Sequence, residues 1–186
     1  MLKRTLSLII CSLIFAASVA QAQVTITYSS GGSQHFTMSI ADGWRVNVGS
    51  EGDLSWASGE VKESARLISA MPNDGVPLWF GVWVPDDLVE VQDAEEYMQT
   101  LGLDLLADIV VKERRFDSLN GMEVYFFTGT GKKEGEAMDF RTAFVQLSPE
   151  NVVIAIYIGP PEATSSHGGD LIRMIDSLQS VKQEIK

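Results

Sequence analysis

The chain is nearly without cysteine, with Cys11 the single one in 186 residues. Cys11 lies inside the first apolar run behind Ile10, whereas a lipid-attachment cysteine closes such a run behind a small residue. Once that run is removed, no disulfide, thiol nucleophile or thiolate metal site is available. In an oxidising compartment the fold must then rest on its core alone. Positive charge is also scarce, with 14 Lys and Arg against 25 Asp and Glu and a formal net charge of −11. Phosphate backbones and anionic lipid headgroups are bound through Lys and Arg, so nucleic acid and membrane surfaces are disfavoured partners. The acids concentrate between Asp42 and Asp108, while Lys112 to Arg141 is balanced. Such a surface serves solubility, or faces a cation or a basic protein surface.

Long hydrophobic runs are missing too. A spanning helix needs roughly 20 apolar residues, and the run Leu6–Ala17 stops before Gln21 and Gln23. With Lys3 and Arg4 ahead of it and Ala20-Gln21-Ala22 behind, it has the parts of a cleavable secretory signal. The expected organisation is a signal peptide over 1–22 and one globular domain over 23–186. That domain would have no membrane span and a formal charge of −13 once Lys3 and Arg4 are gone. Its location would be periplasmic or secreted, since the signal specifies export only. A domain of this length buries roughly 70% of the surface its unfolded chain exposes.

What is present is mostly strand. Val24, Ile26 and Tyr28 alternate with polar residues, as do Phe36, Met38 and Ile40, then Trp44, Val46 and Val48, with "SSGGS" and "ADG" as turns. Gly49 to Ser64 carries little pattern beyond Leu54 and Trp56 and reads as a loop with room for one short strand. "ARLISAM" and "PLWFGVWVP" return to strand. The second, like "NVVIAIYIG" at Asn151–Gly159, is apolar at almost every position, so both its faces are covered. Helices supply the cover. One starts at Asp93 as N-cap, with Glu96 three residues on, and carries Ala94, Tyr97, Met98, Leu101 and Leu105. The last runs from about Gly169 to Lys182. Between them "IVVKERRFDSL", "MEVYFFTGT", "MDFRTAFVQL" and "NVVIAIYIG", separated by "NG", "GKKEGEA" and "SPEN", form a four-stranded antiparallel meander.

Four stretches invite a chemical reading. "GTGKKEG" (Gly129–Gly135) looks like a phosphate loop, but such loops lead from a strand to the helix whose N-terminus holds the anion. This one joins strand to strand with neither of the known glycine spacings, and reads as a hairpin tip whose glycines permit the turn. "SSHGGD" offers Ser165, Ser166, His167 and Asp170, but triads are assembled from separated segments, and no G-x-S-x-G elbow exists. The stretch reads as the lead-in to the last helix, with a hydrolase centred on His167 as the remote alternative.

"PDDLVEVQDAEEY" places Asp86, Asp87, Glu90 and Asp93, with Glu95 and Glu96, where a divalent cation could be held. It lacks EF-hand spacing, and acids ahead of a helix are favoured by its dipole in any case. Trp79 and Trp83 project to one face of their strand around Gly81. The notch this leaves admits a ligand or, more simply, a helix side chain. Lys112, Arg114 and Arg115, interleaved with Glu113 and Asp117, read as a solvated strand. No catalytic set and no cofactor are expected.

"FTMSIADGWRV" resembles the opening strand pair of PsbP-like proteins, although Ala41 stands where their proline is commonest. "NGMEVYFFTGT" resembles a hairpin beginning of that family. "VVIAIYIGPPEATSSHGGDLIRMIDSLQ" resembles its closing strand, loop and helix, with the terminal pair at Ser177 and Leu178. The resemblance covers residues 35 to 183. It implies an α+β fold, an α/β/α sandwich around a central, mostly antiparallel sheet. An N-terminal strand pair, one mid-chain helix and one C-terminal helix complete that fold. The family includes extrinsic photosystem II subunits, a nuclear-import factor that binds a small GTPase, and DcrB-type periplasmic proteins, most of which bind or help assemble other proteins. The expected function is a non-catalytic exported protein that binds an envelope protein partner; the alternative is a periplasmic small-ligand or cation-binding protein.

Overall fold

The computed structural model describes residues 24–49 and 66–181. The signal-like segment, the Gly49–Ser64 loop apart from Gly49 itself, and Trp56 lie outside the described residues. The strands are β1 (Val24–Ser30), β2 (Ser33–Ile40), β3 (Trp44–Val48), β4 (Ile68–Pro72) and β5 (Trp79–Trp83). A 3₁₀ turn at Val91–Asp93 leads into helix α1 (Ala94–Leu105). Then follow β6 (Ala107–Leu119), β7 (Met122–Lys133), β8 (Glu136–Ser148), β9 (Asn151–Gly159), helix α2 (Pro161–Asp176) and β10 (Gln179–Ser180).

The expected meander is β6 to β9. It joins β3, β4 and β5 through the antiparallel pairing of β5 with β9, giving one seven-stranded sheet in the order β3-β4-β5-β9-β8-β7-β6. The two nearly all-apolar strands are therefore neighbours at its centre, where both faces are covered. A second sheet, β1-β2-β10, packs against α2, with the Ser39 amide donating to Ser177 Oγ at 2.8 Å. The fold is the α+β sandwich expected.

Strand registers sort the large sheet into two faces, because directly paired residues project the same way. One face holds Trp79, Gly81 and Trp83, then Ile154, Ile156 and Ile158, then Phe140, Thr142 and Phe144, then Tyr125 and Phe127. Helix α1 lies on it, with Tyr97 edge-on to Phe144 at 6.2 Å between ring centres. The other face holds Trp44, Phe80, Val82, Ala155, Ala143, Val145, Val124 and Phe126. Helix α2 lies there and buries Leu171, Met174 and Ile175.

Two elements differ from the sequence reading. Helix α2 starts at Pro161, eight residues before Gly169, because proline at the first helical position is pre-set for the helix. It ends at Asp176, since the chain must turn to place β10 against β2. Asp93 ends the 3₁₀ turn ahead of α1, and Gln146 holds that turn, its side-chain oxygen accepting from the Val91 amide at 2.8 Å.

Candidate functional site

"GTGKKEG" lies in the β7–β8 hairpin, as the sequence reading has it. Lys133 pairs with Glu136, leaving the two-residue turn Glu134-Gly135 with φ of 54° and 89°. Positive φ at both positions matches the strand twist. Gly129 and Gly131 have a different use, which the hairpin reading missed. β6 carries two irregularities, at Ala107–Val110 and Val111–Glu113, and they push its backbone onto β7. A Cβ at Gly129 would overlap the Val110 carbonyl oxygen, and one at Gly131 would lie 3.0 Å from the Ala107 carbonyl oxygen. The glycines thus seat a bulged edge strand.

His167 lies inside α2, held between two carboxylates. Its Nε2 is 3.1 Å from Asp74 and its Nδ1 3.7 Å from Asp170, and Trp44 stacks edge-on at 5.6 Å. Ser166 donates to the Ala163 carbonyl at 3.0 Å, a within-helix bond. The cluster ties α2 to the β4–β5 turn and to β3, since the Trp44 indole also donates to Asp170 at 3.3 Å. Both ring nitrogens of His167 face acids, and Ser166 is turned back onto its own helix. That arrangement does not align Ser166 for attack by way of His167.

The acidic run is divided between two aromatic groups. Burial, and then the charge of Asp87, push the Tyr97 phenol well above its ordinary range. Tyr28 is also raised, first by burial, with Asp86 contributing. Glu90 precedes the 3₁₀ turn and Asp93 ends it. Among the described residues, no group of three or more His, Cys, Asp or Glu is close enough to hold a metal ion. Trp83 is buried to 1% exposure, and Trp79 folds its ring over Gly81, so the notch between the tryptophans is occupied by Trp79 itself.

The opening that the sequence reading did not find lies at the other end of the same sheet face. A cleft of about 390 Å³ runs between α1 and the β6–β7 edge, lined by Met98, Ile109, Val111 and Phe127 below and by Glu95, Gln99 and Arg114 at the rim. It lies where α1, packed through Tyr97 onto Phe144, meets the irregular start of β6 that carries Ile109 and Val111. Arg114 Nε bonds Glu95 at 3.2 Å, with both side chains about half exposed. Beside them Tyr125 stacks on Phe116 at 3.9 Å. The Tyr125 phenol is raised by burial and then by the Glu95 charge. Only the interleaved charges of "KERRFD" hinted at this region; the irregularities that shape it leave no periodic signature.

No family model matches the sequence, and no curated protein matches it significantly. Among solved structures, the solution structure of cyanobacterial PsbP (CyanoP) from Synechocystis sp. PCC 6803 is similar. Its TM-score is 0.60 at 9% identity, covering 91% of this chain and 99% of that one. The crystal structure of LpqN, involved in cell envelope biogenesis of Mycobacterium tuberculosis, is similar with a TM-score of 0.55 at 11% identity, covering 87% and 91%. At these identities the likeness is one of fold: the chain has a PsbP-like fold, as the resemblance implied.

Proposed function

We propose that the chain is an exported, non-catalytic protein, made with a leader over 1–22 and acting as one domain over 23–186, that binds or helps assemble a protein partner in the cell envelope. The observation that carries this reading is the cleft between α1 and the β6–β7 edge, an apolar floor with an ion-paired rim. Its lining suits the burial of one or two apolar side chains of a partner segment. The exposed acids Asp93, Glu95 and Glu96 at the start of α1, with the acidic charge of the whole chain, favour a segment whose apolar anchors are flanked by lysine or arginine. The export-like leader and the involvement of LpqN in cell envelope biogenesis support the compartment. No helix among the described residues is long and apolar enough to cross a membrane.

A photo-crosslinking residue at Gln99 in the cleft rim, expressed in cells, tests the reading. One envelope protein should be captured from Gln99 and not from a control site at Glu150, and Ile109→Asp should abolish the capture with the fold intact. Equal capture from both sites, or no capture by abundant folded protein, overturns it. The size of the cleft favours one second reading, a small apolar ligand, since ligand sites commonly span about 300–1,000 Å³. A ligand at 100 times its dissociation constant would stabilise the fold by about 2.7 kcal/mol in a thermal-shift panel.

A further inference from the structure

Strand β6 is an edge of the large sheet. From Glu113 to Leu119 it pairs regularly with β7, and among the described residues no strand pairs with its other side. Phe116 is 57% exposed there, an aromatic side chain in the middle of a charged strand. Charges on an edge strand normally repel other strands. Here their order admits one partner.

We infer that β6 pairs antiparallel with β6 of a second copy, the two-fold axis passing through Phe116. Two identical antiparallel strands in one continuous sheet are related by an axis perpendicular to it, so residue 116 + n faces residue 116 − n on the same face. About Phe116, Arg115 faces Asp117 twice, Arg114 faces Ser118 twice, and the two Phe116 rings meet. No like charges are opposed. Every other register centred between Glu113 and Asp117 opposes them: an axis at Arg115 sets arginine on arginine and Glu113 on Asp117, and one at Asp117 sets acid on acid.

The side chains are already arranged for it. Arg115 bonds its own Asp117 at 3.3 Å, so pairing closes a four-membered Arg–Asp network on the α2 face. On the α1 face Phe116 is already stacked on Tyr125, and pairing extends the stack to Tyr125-Phe116-Phe116-Tyr125. Cross-strand aromatic and opposite-charge pairs are the stabilising units of sheets. The edge charges thus select the second copy and exclude strands of other pattern. Because the axis is perpendicular to the sheet, both α1 clefts open on the same side of the dimer.

The test is sedimentation equilibrium of the mature chain over a concentration series, with circular dichroism as the check on fold. A reversible dimer is expected below about 1 mM. Asp117→Arg should weaken it at least tenfold, and the swap Arg115→Asp with Asp117→Arg should restore it. In a chain that otherwise lacks cysteine, Phe116→Cys should form an intersubunit disulfide under mild oxidation, since cross-strand partners lie within bridging distance, while Ser118→Cys should not. A monomer throughout the series, a dimer indifferent to Asp117→Arg, or equal crosslinking at residues 116 and 118 overturns the inference. If Asp117→Arg does not fold, the cysteine pair decides alone.

Discussion

Asn120 holds a left-handed backbone conformation at φ 52° and, with Gly121 at 81°, makes the β6–β7 turn. Its side-chain amide donates to the carbonyls of Asp176 and Leu178 at 2.8 and 2.9 Å. It thereby satisfies groups that the end of α2 leaves without helical partners. Asn120→Gly keeps the turn and deletes only these bonds, so urea denaturation should show a loss of about 1–2 kcal/mol. Two glycines make a sharper contrast. Gly129→Ala meets a backbone carbonyl and the Phe140 ring, neither able to retreat, and should lose about 1–3 kcal/mol. Gly81→Ala meets only the Trp79 ring, which can swing outward. It should shift tryptophan fluorescence to the red with a smaller change in denaturation midpoint. "NG" was legible as a turn from sequence, because the αL preference is written into those residues. That Asn120 also closes a helix 56 residues away was not, since no local pattern encodes a tertiary bond.

At the scale of elements, the placement of α1 decides whether the cleft exists. Gln146 of β8 accepts from the Val91 amide at 2.8 Å and donates to the Val89 and Ser148 carbonyls at 2.7 and 2.6 Å. It pins the 3₁₀ turn ahead of α1 to the β8–β9 hairpin. Gln146→Ala should leave the hairpin intact and speed hydrogen exchange at the Val91 amide, with a stability loss of about 1–3 kcal/mol. The strands, their meander and the apolar face of α1 were legible because period-two and helical spacing survive in the residues. The start of α2 was misread because Gly168 and Gly169 look like a boundary. They are tolerated inside the helix, where Pro161 and the buried Leu171, Met174 and Ile175 fix its course. The cleft was illegible for a related reason: it lies beside two strand irregularities, and neither leaves a motif.

For the molecule as a whole, tyrosine reports the integrity of the core. All four tyrosines of the chain, Tyr28, Tyr97, Tyr125 and Tyr157, have phenols raised above the ordinary value of 10, each with burial as the first cause. Below pH 10 the phenols stay protonated in folded and unfolded chains alike, and they add no pH dependence. Above it the unfolded chain ionises first, so stability falls as pH rises towards the folded values. An alkaline titration should therefore show tyrosinate absorbance appearing above pH 10, together with the loss of circular dichroism. Ordinary titration at pH 10 with the fold intact would contradict this arrangement.

The pairing of β5 with β9 has a consequence in time. It joins Trp79–Trp83 to Ile154–Ile158, so the centre of the sheet closes only after the whole meander between them has emerged. Until then β5, apolar on both faces, has an unfilled edge. Contacts this distant in sequence slow folding and prolong the exposure of sticky intermediates. A chain that crosses a membrane unfolded, N-terminus first, would hold that edge open throughout its passage. Its yield should then depend on how quickly the last strand follows the first, and on what shields β5 while it waits.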